Sequence, residues 1–251
     1  MMKLKVLFLL FVIFYIRFSY AQTRLFFSVQ PTFANRIMLY SNANKSNKDS
    51  FSKVDRYRVT LAANALFTIP INKELSLLTG LKFQSMGFTR RKENIKFLDT
   101  IHPSIGIRAD QVDVGPAWVD FRYQYYYLSI PFLFTQEINT SNRGKSGTFH
   151  WVAGGAISGL IKRDINAKFF GFSFGKDKKV SIRENDWQPA LINANLQAGF
   201  RYENLVYGKQ TSIYVQPNLI VPVLLADYGI NKHLLYGVGL EIGIVHSLDN
   251  K

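Results

Sequence analysis

Hydrophobic and polar residues alternate with a period of two over much of the chain. In the last segment, six apolar side chains share one face: Leu234, Tyr236, Val238, Leu240, Ile242 and Ile244. The opposite face carries Leu235, Gly237, Gly239, Glu241 and Gly243. Successive side chains of a β-strand point to opposite faces, so this period predicts strands that each have one apolar face.

The same pattern predicts eight strands in an all-β fold. They are expected at residues 24–34, 57–70, 75–89, 121–137, 148–163, 189–204, 210–226 and 233–248. Each segment reaches the roughly 9–11 residues with which a tilted strand crosses a bilayer. Four prolines lie inside or at the ends of these segments: Pro70, Pro131, Pro217 and Pro222. Because proline has no N–H for a ladder hydrogen bond, these positions indicate bulges or strand ends.

The connections between these segments mostly alternate between long and short. In order they cover residues 35–56, 71–74, 90–120, 138–147, 164–188, 205–209 and 227–232. Outer-membrane barrels combine long external loops with short periplasmic turns, although 227–232 is short for an external loop. The expected fold is therefore an eight-stranded antiparallel up-and-down transmembrane β-barrel with long extracellular loops and both termini in the periplasm.

The first 21 residues have the features of a secretory signal peptide. Lys3 and Lys5 precede an apolar run that extends to Ile16, and Ser19 and Ala21 supply small residues before a cleavage site. This apolar run is short for a membrane-spanning helix of roughly 20 residues. We therefore expect cleavage after residue 21, export, and a barrel domain over 22–251.

Alternation alone leaves open which face of the strands points outward. A soluble secreted ligand-binding barrel has the same period, with its apolar face inside. Aromatic residues near several strand ends favour a membrane barrel, because such barrels carry aromatic girdles at both interfaces. These residues are Phe26, Phe27, Tyr123 to Tyr127, Trp151 and Tyr202.

Composition narrows the classes of partner. The formal charge is +14, and removal of residues 1–21 with Lys3, Lys5 and Arg17 leaves +11. For an exported protein, such a charge favours lipopolysaccharide or anionic glycans over nucleic acid, although scattered cations also serve solubility. The sequence has no cysteine, which excludes a disulfide scaffold, a cysteine-linked lipid anchor and a thiolate metal site.

Two adjacent segments resemble a known family. The stretch Tyr127-Leu128-Ser129-Ile130-Pro131-Phe132-Leu133-Phe134 resembles the Tyr-Leu-x-Ile-Pro-Leu-Leu-Leu signature of Bacteroidota outer-membrane β-barrel proteins called PorT-like. The stretch from Phe149 to Gly155 resembles the next strand of that family. The resemblance implies an outer-membrane location, and the family's namesake acts in type IX protein secretion. An accessory or subunit role in such an envelope complex is therefore one expectation.

An eight-stranded barrel has an interior that side chains fill. The strand register places a polar network of both charge signs in this lumen: Arg58, Lys82, Gln84, Glu137, Asn193, Asn195, Gln197, Arg201, Glu203, Gln216, Asn218 and Glu241. A polar plug of paired charges is the expected arrangement, and a narrow ion path is the alternative. The glycines of 237–243, Gly154, Gly155 and Gly159 are expected to make room for lumen side chains.

No catalytic, cofactor-binding or metal-binding residue is assigned, and no cofactor is expected. The four histidines, His102, His150, His233 and His246, do not have metal-ligand spacing. An enzyme that transfers or hydrolyses lipid acyl chains at the barrel rim is the alternative class. Its candidates are His102, His233, Ser181 and Asp186 in or beside the outer loops. The favoured function is non-enzymatic, through the loops of a monomeric barrel or a complex subunit.

Overall fold

The computed structural model describes residues 23–39, 55–72, 74–93, 118–138, 147–170, 179–181, 188–207, 210–228 and 232–248. These residues form ten strands, of which eight are long. The strands are β1 (Arg24–Met38), β2 (Asp55–Arg56), β3 (Arg58–Pro70), β4 (Leu75–Glu93), β5 (Trp118–Ile138), β6 (Gly147–Phe170), β7 (Lys179–Ser181), β8 (Ile192–Tyr207), β9 (Thr211–Pro222) and β10 (His233–Ser247). Within these ranges, no helix is long and apolar enough to cross a membrane.

The eight long strands close into a barrel in which every pairing is antiparallel. Going round the barrel, β1 pairs with β3, β3 with β4, β4 with β5, and β5 with β6. The circle continues through β8 and β9 to β10, which pairs with β1. The prediction of an eight-stranded up-and-down barrel is therefore confirmed, and each of the eight predicted segments overlaps one long strand.

Two of the four prolines end a strand, as predicted, and the other two interrupt a ladder without forming the expected bulge. Pro70 and Pro222 end β3 and β9, as predicted. Opposite Pro131, the β4–β5 ladder stops at Thr79↔Phe132 and resumes in the same register at Lys82↔Ser129. The β8–β9 ladder skips Pro217 in the same way. Each central proline thus removes rungs without shifting the register, because it lacks a donor but keeps an extended backbone.

Gly80 lies in the ladder gap opposite Pro131. Its φ angle is 146°, a backbone conformation that residues with a side chain rarely adopt. A Cβ at this position would lie 2.4 Å from the carbonyl oxygen of Ala65 on β3. A residue with a side chain would therefore be strained at this position, where the ladder to β5 is interrupted.

The two ends of the barrel differ in the length of their connections. At the turn end, where β1 begins and β10 ends, the long strands are joined by residues 71–74, 139–146 and 208–210. At the loop end, the connections are 39–57, 94–117, 171–191 and 223–232. The last of these is longer than predicted because β9 ends at Pro222. Long and short connections therefore alternate round the whole barrel.

Three long strands continue past the rest of the barrel at the loop end and form a wall. The wall consists of residues 89–93 of β4, 118–124 of β5 and 162–170 of β6, with β7 paired to β6 and β2 paired to β4. β6 and β7 form a hairpin in this region, and residues 171–178 between them lie outside the described residues. The wall gives the loop end an asymmetric shape.

Two apolar clusters occupy the interior of the barrel. One lies towards the turn end and contains Phe26, Leu66, Leu78, Leu133, Val152, Tyr214 and Val245. The other lies towards the loop end and includes Met86, Phe88, Tyr123, Tyr125, Tyr127, Ile165 and Leu235. The polar side chains described below lie between these clusters.

Glycines of β10 make room for lumen side chains, as predicted, whereas those of β6 differ from one another. On β10, a Cβ added to Gly239 would lie 2.6 Å from the lumen atom Thr32 Oγ1. On β6, a Cβ added to Gly154 would lie 2.1 Å from the backbone carbonyl oxygen of Phe132 on the neighbouring strand β5. The expectation for Gly155 and Gly159 is wrong, because alternation along β6 places them on the outward face. At Gly159 the nearest atom to an added Cβ is 4.0 Å away.

We expect Gly154→Val to destabilise the barrel by about 1–3 kcal/mol, the usual cost of forcing atoms into a filled site. The added methyl groups would push β5 and β6 apart at Phe132. Urea unfolding of the refolded protein measures this loss. Gly159→Val in the same strand is the matched control and should change the midpoint little. Equal midpoints for the two variants would contradict this packing.

Candidate functional site

An uncharged apolar belt surrounds the outside of the barrel. The outward positions of the eight long strands carry exposed side chains such as Val59, Leu128, Ile157, Phe200 and Leu240. Phe200 is 64% exposed and Val59 is 63% exposed. Soluble monomers rarely expose contiguous apolar patches of more than a few hundred Å². The belt is therefore that of a transmembrane barrel, and its orientation is opposite to that of a soluble ligand-binding barrel.

Aromatic residues lie on both faces of the strands, which corrects part of the predicted girdle. Phe27, Tyr126, Trp151 and Tyr202 lie on the outward face. Inside the barrel, alternation buries the remaining predicted girdle residues: Phe26, Tyr123, Tyr125 and Tyr127. At the loop end of the outward face, Tyr57 and Tyr236 pack edge to face with ring centroids 6.3 Å apart. An aromatic girdle is therefore present on the outward face, but only some of the predicted residues belong to it.

Glu241 is the centre of the polar layer inside the barrel. Its Oε1 atom accepts hydrogen bonds from Ser28 Oγ and Tyr214 OH, each at 2.6 Å. Its Oε2 atom accepts one from Asn218 Nδ2 at 3.0 Å. Only 4% of the residue is exposed. Three donors from two strands, β1 and β9, therefore hold this buried carboxylate in a fixed position.

Two buried cations share the polar layer with Glu241. Lys82 Nζ donates to Gln30 Oε1 at 2.9 Å and to Gln197 Oε1 at 3.3 Å. Arg201 Nε donates to Gln216 Oε1 at 2.8 Å. The guanidinium carbon of Arg201 also lies 4.6 Å from the ring centroid of Phe26. Charges and aromatic rings thus fill the cross-section between the two apolar clusters.

Amide side chains connect Arg201 to Glu241. Gln216 accepts from Arg201 and donates through Nε2 to Asn218 Oδ1 at 2.7 Å, and Asn218 in turn donates to Glu241. The plug was expected to pair cations directly with carboxylates. At this level the charges instead interact through amides, because Gln216 and Asn218 project from one face of β9 between Arg201 and Glu241.

A second carboxylate lies nearer the turn end. Glu203 forms a salt bridge with Arg24 and accepts a hydrogen bond from Ser212 Oγ at 2.8 Å. His150 Nε2 is 3.8 Å from its other carboxylate oxygen. In this direct ion pair Arg24 is partly exposed, whereas Glu203 is buried as Glu241 is.

The structure brings most of the predicted network together. Ten of the predicted side chains are buried on the inward face: Lys82, Gln84, Asn193, Asn195, Gln197, Arg201, Glu203, Gln216, Asn218 and Glu241. Two positions need correction. Glu137 is exposed, because it follows the last buried inward residue near the end of β5. Arg58 keeps an inward register position, because its ladder to β1 continues to Ala34↔Arg58, but it is only half-buried. It donates to Gln124 of β5, past the point where the β3–β4 ladder stops at Ala62↔Gln84.

The prediction missed the contribution of β1 to the network. Ser28 and Gln30 are buried and contact Glu241 and Lys82, respectively. Alternation continues from Phe26 through Ser28 and Gln30 to Thr32, and this inward row is the signal that could have found them. It was hard to see because Phe26 and Phe27 are adjacent aromatic residues on opposite faces.

An aromatic layer fills the lumen towards the loop end. Phe88 stacks on Tyr123 with ring centroids 4.6 Å apart, and Arg36 lies over the Phe88 ring at 3.9 Å. Arg36 also forms a two-point salt bridge with Asp55, at 2.7 and 3.0 Å. The hydroxyl of Tyr125 is 2.9 Å from Nε2 of His233. Together with the polar layer, these side chains occupy the lumen over the described strands.

The candidates for acyl chemistry are only partly described. His233 is buried, and its described contacts include the Tyr125 hydroxyl and the Phe88 ring. His102 and Asp186 lie outside the described residues, and only the backbone of Ser181 is described. Over the described ranges, no cluster of three or more His, Asp or Glu side chains could hold a metal ion.

The outward face of the wall carries a basic surface directly above the apolar belt. Among the side chains that the structure describes on this face, four are cations, Arg91, Arg122, Lys162 and Lys168, and two are carboxylates, Asp120 and Asp164. Arg91 forms a salt bridge with Asp120 at 2.8 Å. The shift in the β5–β6 ladder between Tyr126 and Tyr127 places Lys162 on the same face as Tyr126. Lys162 Nζ is 3.0 Å from Asp164, and this hydrogen bond raises the pKa of Lys162. We call these six residues the wall surface.

Comparisons with known proteins identify similar folds. The chain is similar to Neisserial surface protein A (NspA), with 8% identity, a TM-score of 0.40 and coverage of 89% of this chain and 97% of that one. It is similar to Ail, the attachment invasion locus protein of Yersinia pestis, with 10% identity, a TM-score of 0.36 and coverage of 90% and 99%. It is also similar to the outer membrane protease OmpT from Escherichia coli, with 8% identity, a TM-score of 0.33 and coverage of 90% and 97%. No family model matches the sequence, and no curated protein matches it.

Proposed function

We propose that this chain is a small, non-enzymatic outer-membrane β-barrel protein that acts by binding other envelope components at its loop end. The observation that carries this proposal is the filled lumen. Glu241, Lys82 and Arg201 lie between two apolar clusters inside the barrel, so transport through it would require these side chains to leave. Binding at the surface needs no such rearrangement.

The wall surface supports an anionic partner. In an outer membrane with the loop end outside, Arg122 and its neighbours lie at the level of the outer headgroups, directly above the apolar belt. Cations near an anionic membrane surface each contribute roughly 1 kcal/mol of attraction. The phosphates of lipopolysaccharide are the anions that this placement suits.

We expect Arg122→Glu to weaken binding of the purified protein to lipopolysaccharide by about tenfold, because one attractive charge is replaced by a repulsive one. Titration with lipopolysaccharide at low and high salt measures this loss, which salt should reduce. Lys232→Glu makes the same charge change at the loop end outside the wall and is the control. Equal binding by both variants would exclude the wall surface as the contact.

We further propose that the chain has an accessory role in protein secretion, as the resemblance to PorT-like proteins implies. It rests on the similarity of Tyr127–Phe134 to the family signature, and β5 places this stretch in the barrel with Tyr127, Ser129 and Leu133 inside. The partners would be other proteins of the secretion complex, which meet the barrel at its loop end or its outward face.

Gene deletion tests the secretion role. We expect the deletion strain to lose exported proteins from the medium, and expression of the wild-type chain to restore them. Complementation with the Gly159→Val variant controls for expression level and membrane insertion. Unchanged export in the deletion strain would remove the secretion role, while recovery of the chain in a detergent-free soluble fraction would remove the outer-membrane proposal itself.

A further inference from the structure

A groove lies on the outward face of the barrel at the turn end, where β4, β5 and β6 meet the turn at 71–74. Its volume is about 530 Å³, within the roughly 300–1,000 Å³ range of small-molecule sites. The lining residues are Asn72, Glu74, Leu75, Phe134, Gln136, Trp151, Ala153 and Gly154. None of these residues belongs to the lumen network or to the wall surface.

The floor of the groove continues the lipid-facing belt. Leu75, Phe134 and Ala153 are outward residues of three neighbouring strands, and Phe134 is exposed. The small side chain of Ala153 leaves a depression between the larger side chains of Phe134 and Trp151. An acyl chain of a membrane lipid is therefore already in contact with this floor when the belt lies in a bilayer.

The rim of the groove is a connected set of polar groups. Trp151 Nε1 donates to Gln136 Oε1 at 3.1 Å, and Gln136 Nε2 donates to Glu74 Oε2 at 3.3 Å. Asn72 Oδ1 accepts hydrogen bonds from the backbone N–H groups of Glu74 and Leu75, at 2.9 and 2.7 Å. The turn thus holds the Glu74 carboxylate at the mouth of the groove, one hydrogen bond from Gln136.

We propose that this groove binds a glycerophospholipid whose headgroup carries an ammonium group, such as phosphatidylethanolamine. One acyl chain lies on the apolar floor, and the ammonium pairs with the Glu74 carboxylate at the rim. An anionic lipid such as phosphatidylglycerol would place its negative headgroup beside the same carboxylate. The inference rests on the proposed membrane location of the barrel and adds a lipid site in the leaflet at the turn end.

Native mass spectrometry of the full-length protein, released from micelles containing equal amounts of phosphatidylethanolamine and phosphatidylglycerol, tests the site. We expect wild type to retain phosphatidylethanolamine about fivefold over phosphatidylglycerol, the size expected for one partly exposed ion pair. Glu74→Gln should bring the ratio close to one. Glu137→Gln is the matched control, because Glu137 is an exposed carboxylate near the end of β5 that does not line the groove.

A second variant examines the rim without changing its charge. Trp151→Phe keeps an aromatic ring but removes the indole N–H that holds Gln136, so it should reduce the ratio less than Glu74→Gln does. Equal retention of the two lipids by wild type, a preference for phosphatidylglycerol, or the same ratio in Glu74→Gln and Glu137→Gln would overturn the proposal. Retention of no lipid at all by wild type would also overturn the proposal, whereas recovery of the chain in a detergent-free soluble fraction would contradict the membrane location on which it rests.

Discussion

Replacement of Glu241 by leucine is expected to destabilise the barrel by about 3–5 kcal/mol, the usual cost of removing one partner from a buried charge network. The substitution leaves Lys82 and Arg201 in the lumen without the carboxylate, and it leaves Ser28 and Tyr214 without their acceptor. Urea unfolding of protein refolded in lipid vesicles, followed by tryptophan fluorescence, measures the change.

Two further variants identify the cause of this loss. Glu241→Gln keeps an oxygen acceptor for Ser28 and Tyr214 but removes the charge, so its loss should be smaller than that of Glu241→Leu. Glu137→Leu removes an exposed carboxylate and should stay within about 0.5 kcal/mol of wild type. If Glu241→Leu were as stable as Glu137→Leu, the polar layer would not hold the barrel together.

The second large effect is expected from a charge on the apolar belt. Leu240→Arg should cost about 2–4 kcal/mol, because Leu240 lies in the middle of the outward row of β10 and an arginine there would face the hydrocarbon core. Refolding yield and urea midpoint in vesicles both report the cost. Leu248→Arg is the control, since Leu248 is also exposed but follows the end of β10.

The comparison of these two arginine variants separates a membrane barrel from a soluble one. Near the membrane interface the cost of arginine falls to about 0–1 kcal/mol, so Leu248→Arg should fold almost like wild type. In a soluble barrel both side chains would meet water, and both variants would be tolerated. Equal stability of Leu240→Arg and Leu248→Arg would therefore contradict the transmembrane assignment.

The strands were predictable because each one has a single apolar face. In β10, the row from Leu234 to Ile244 and the opposite row through Glu241 both follow from a period of two. The inward position of Lys82 was predictable for an energetic reason, since a lysine on the lipid face would be costly. Positions near strand ends were less predictable, as Glu137 and Arg58 show, because both keep ladder partners, His150 and Ala34, yet neither is fully buried in the lumen.

The contacts inside the barrel depend on which strands become neighbours. Glu241 meets Ser28 because β10 pairs with β1 and thereby closes the barrel, although the two residues are more than 200 positions apart in the chain. The Gln216–Asn218 connection between Arg201 and Glu241 likewise requires the order β8–β9–β10. Alternation assigns a face to each residue but contains no information about its partner across the lumen.

By itself, the amino-acid sequence determined the eight strands, the division of each strand into an apolar and a polar face, and the mixed charge of the polar face, because these properties follow from local alternation. Only the tertiary structure decided that amides connect Arg201 to Glu241, that Phe26 and Tyr125 point inward, and that a wall stands above the belt. It also placed Glu74, Gln136 and Trp151 together at one groove. These features depend on register and closure, which arise when distant strands pair.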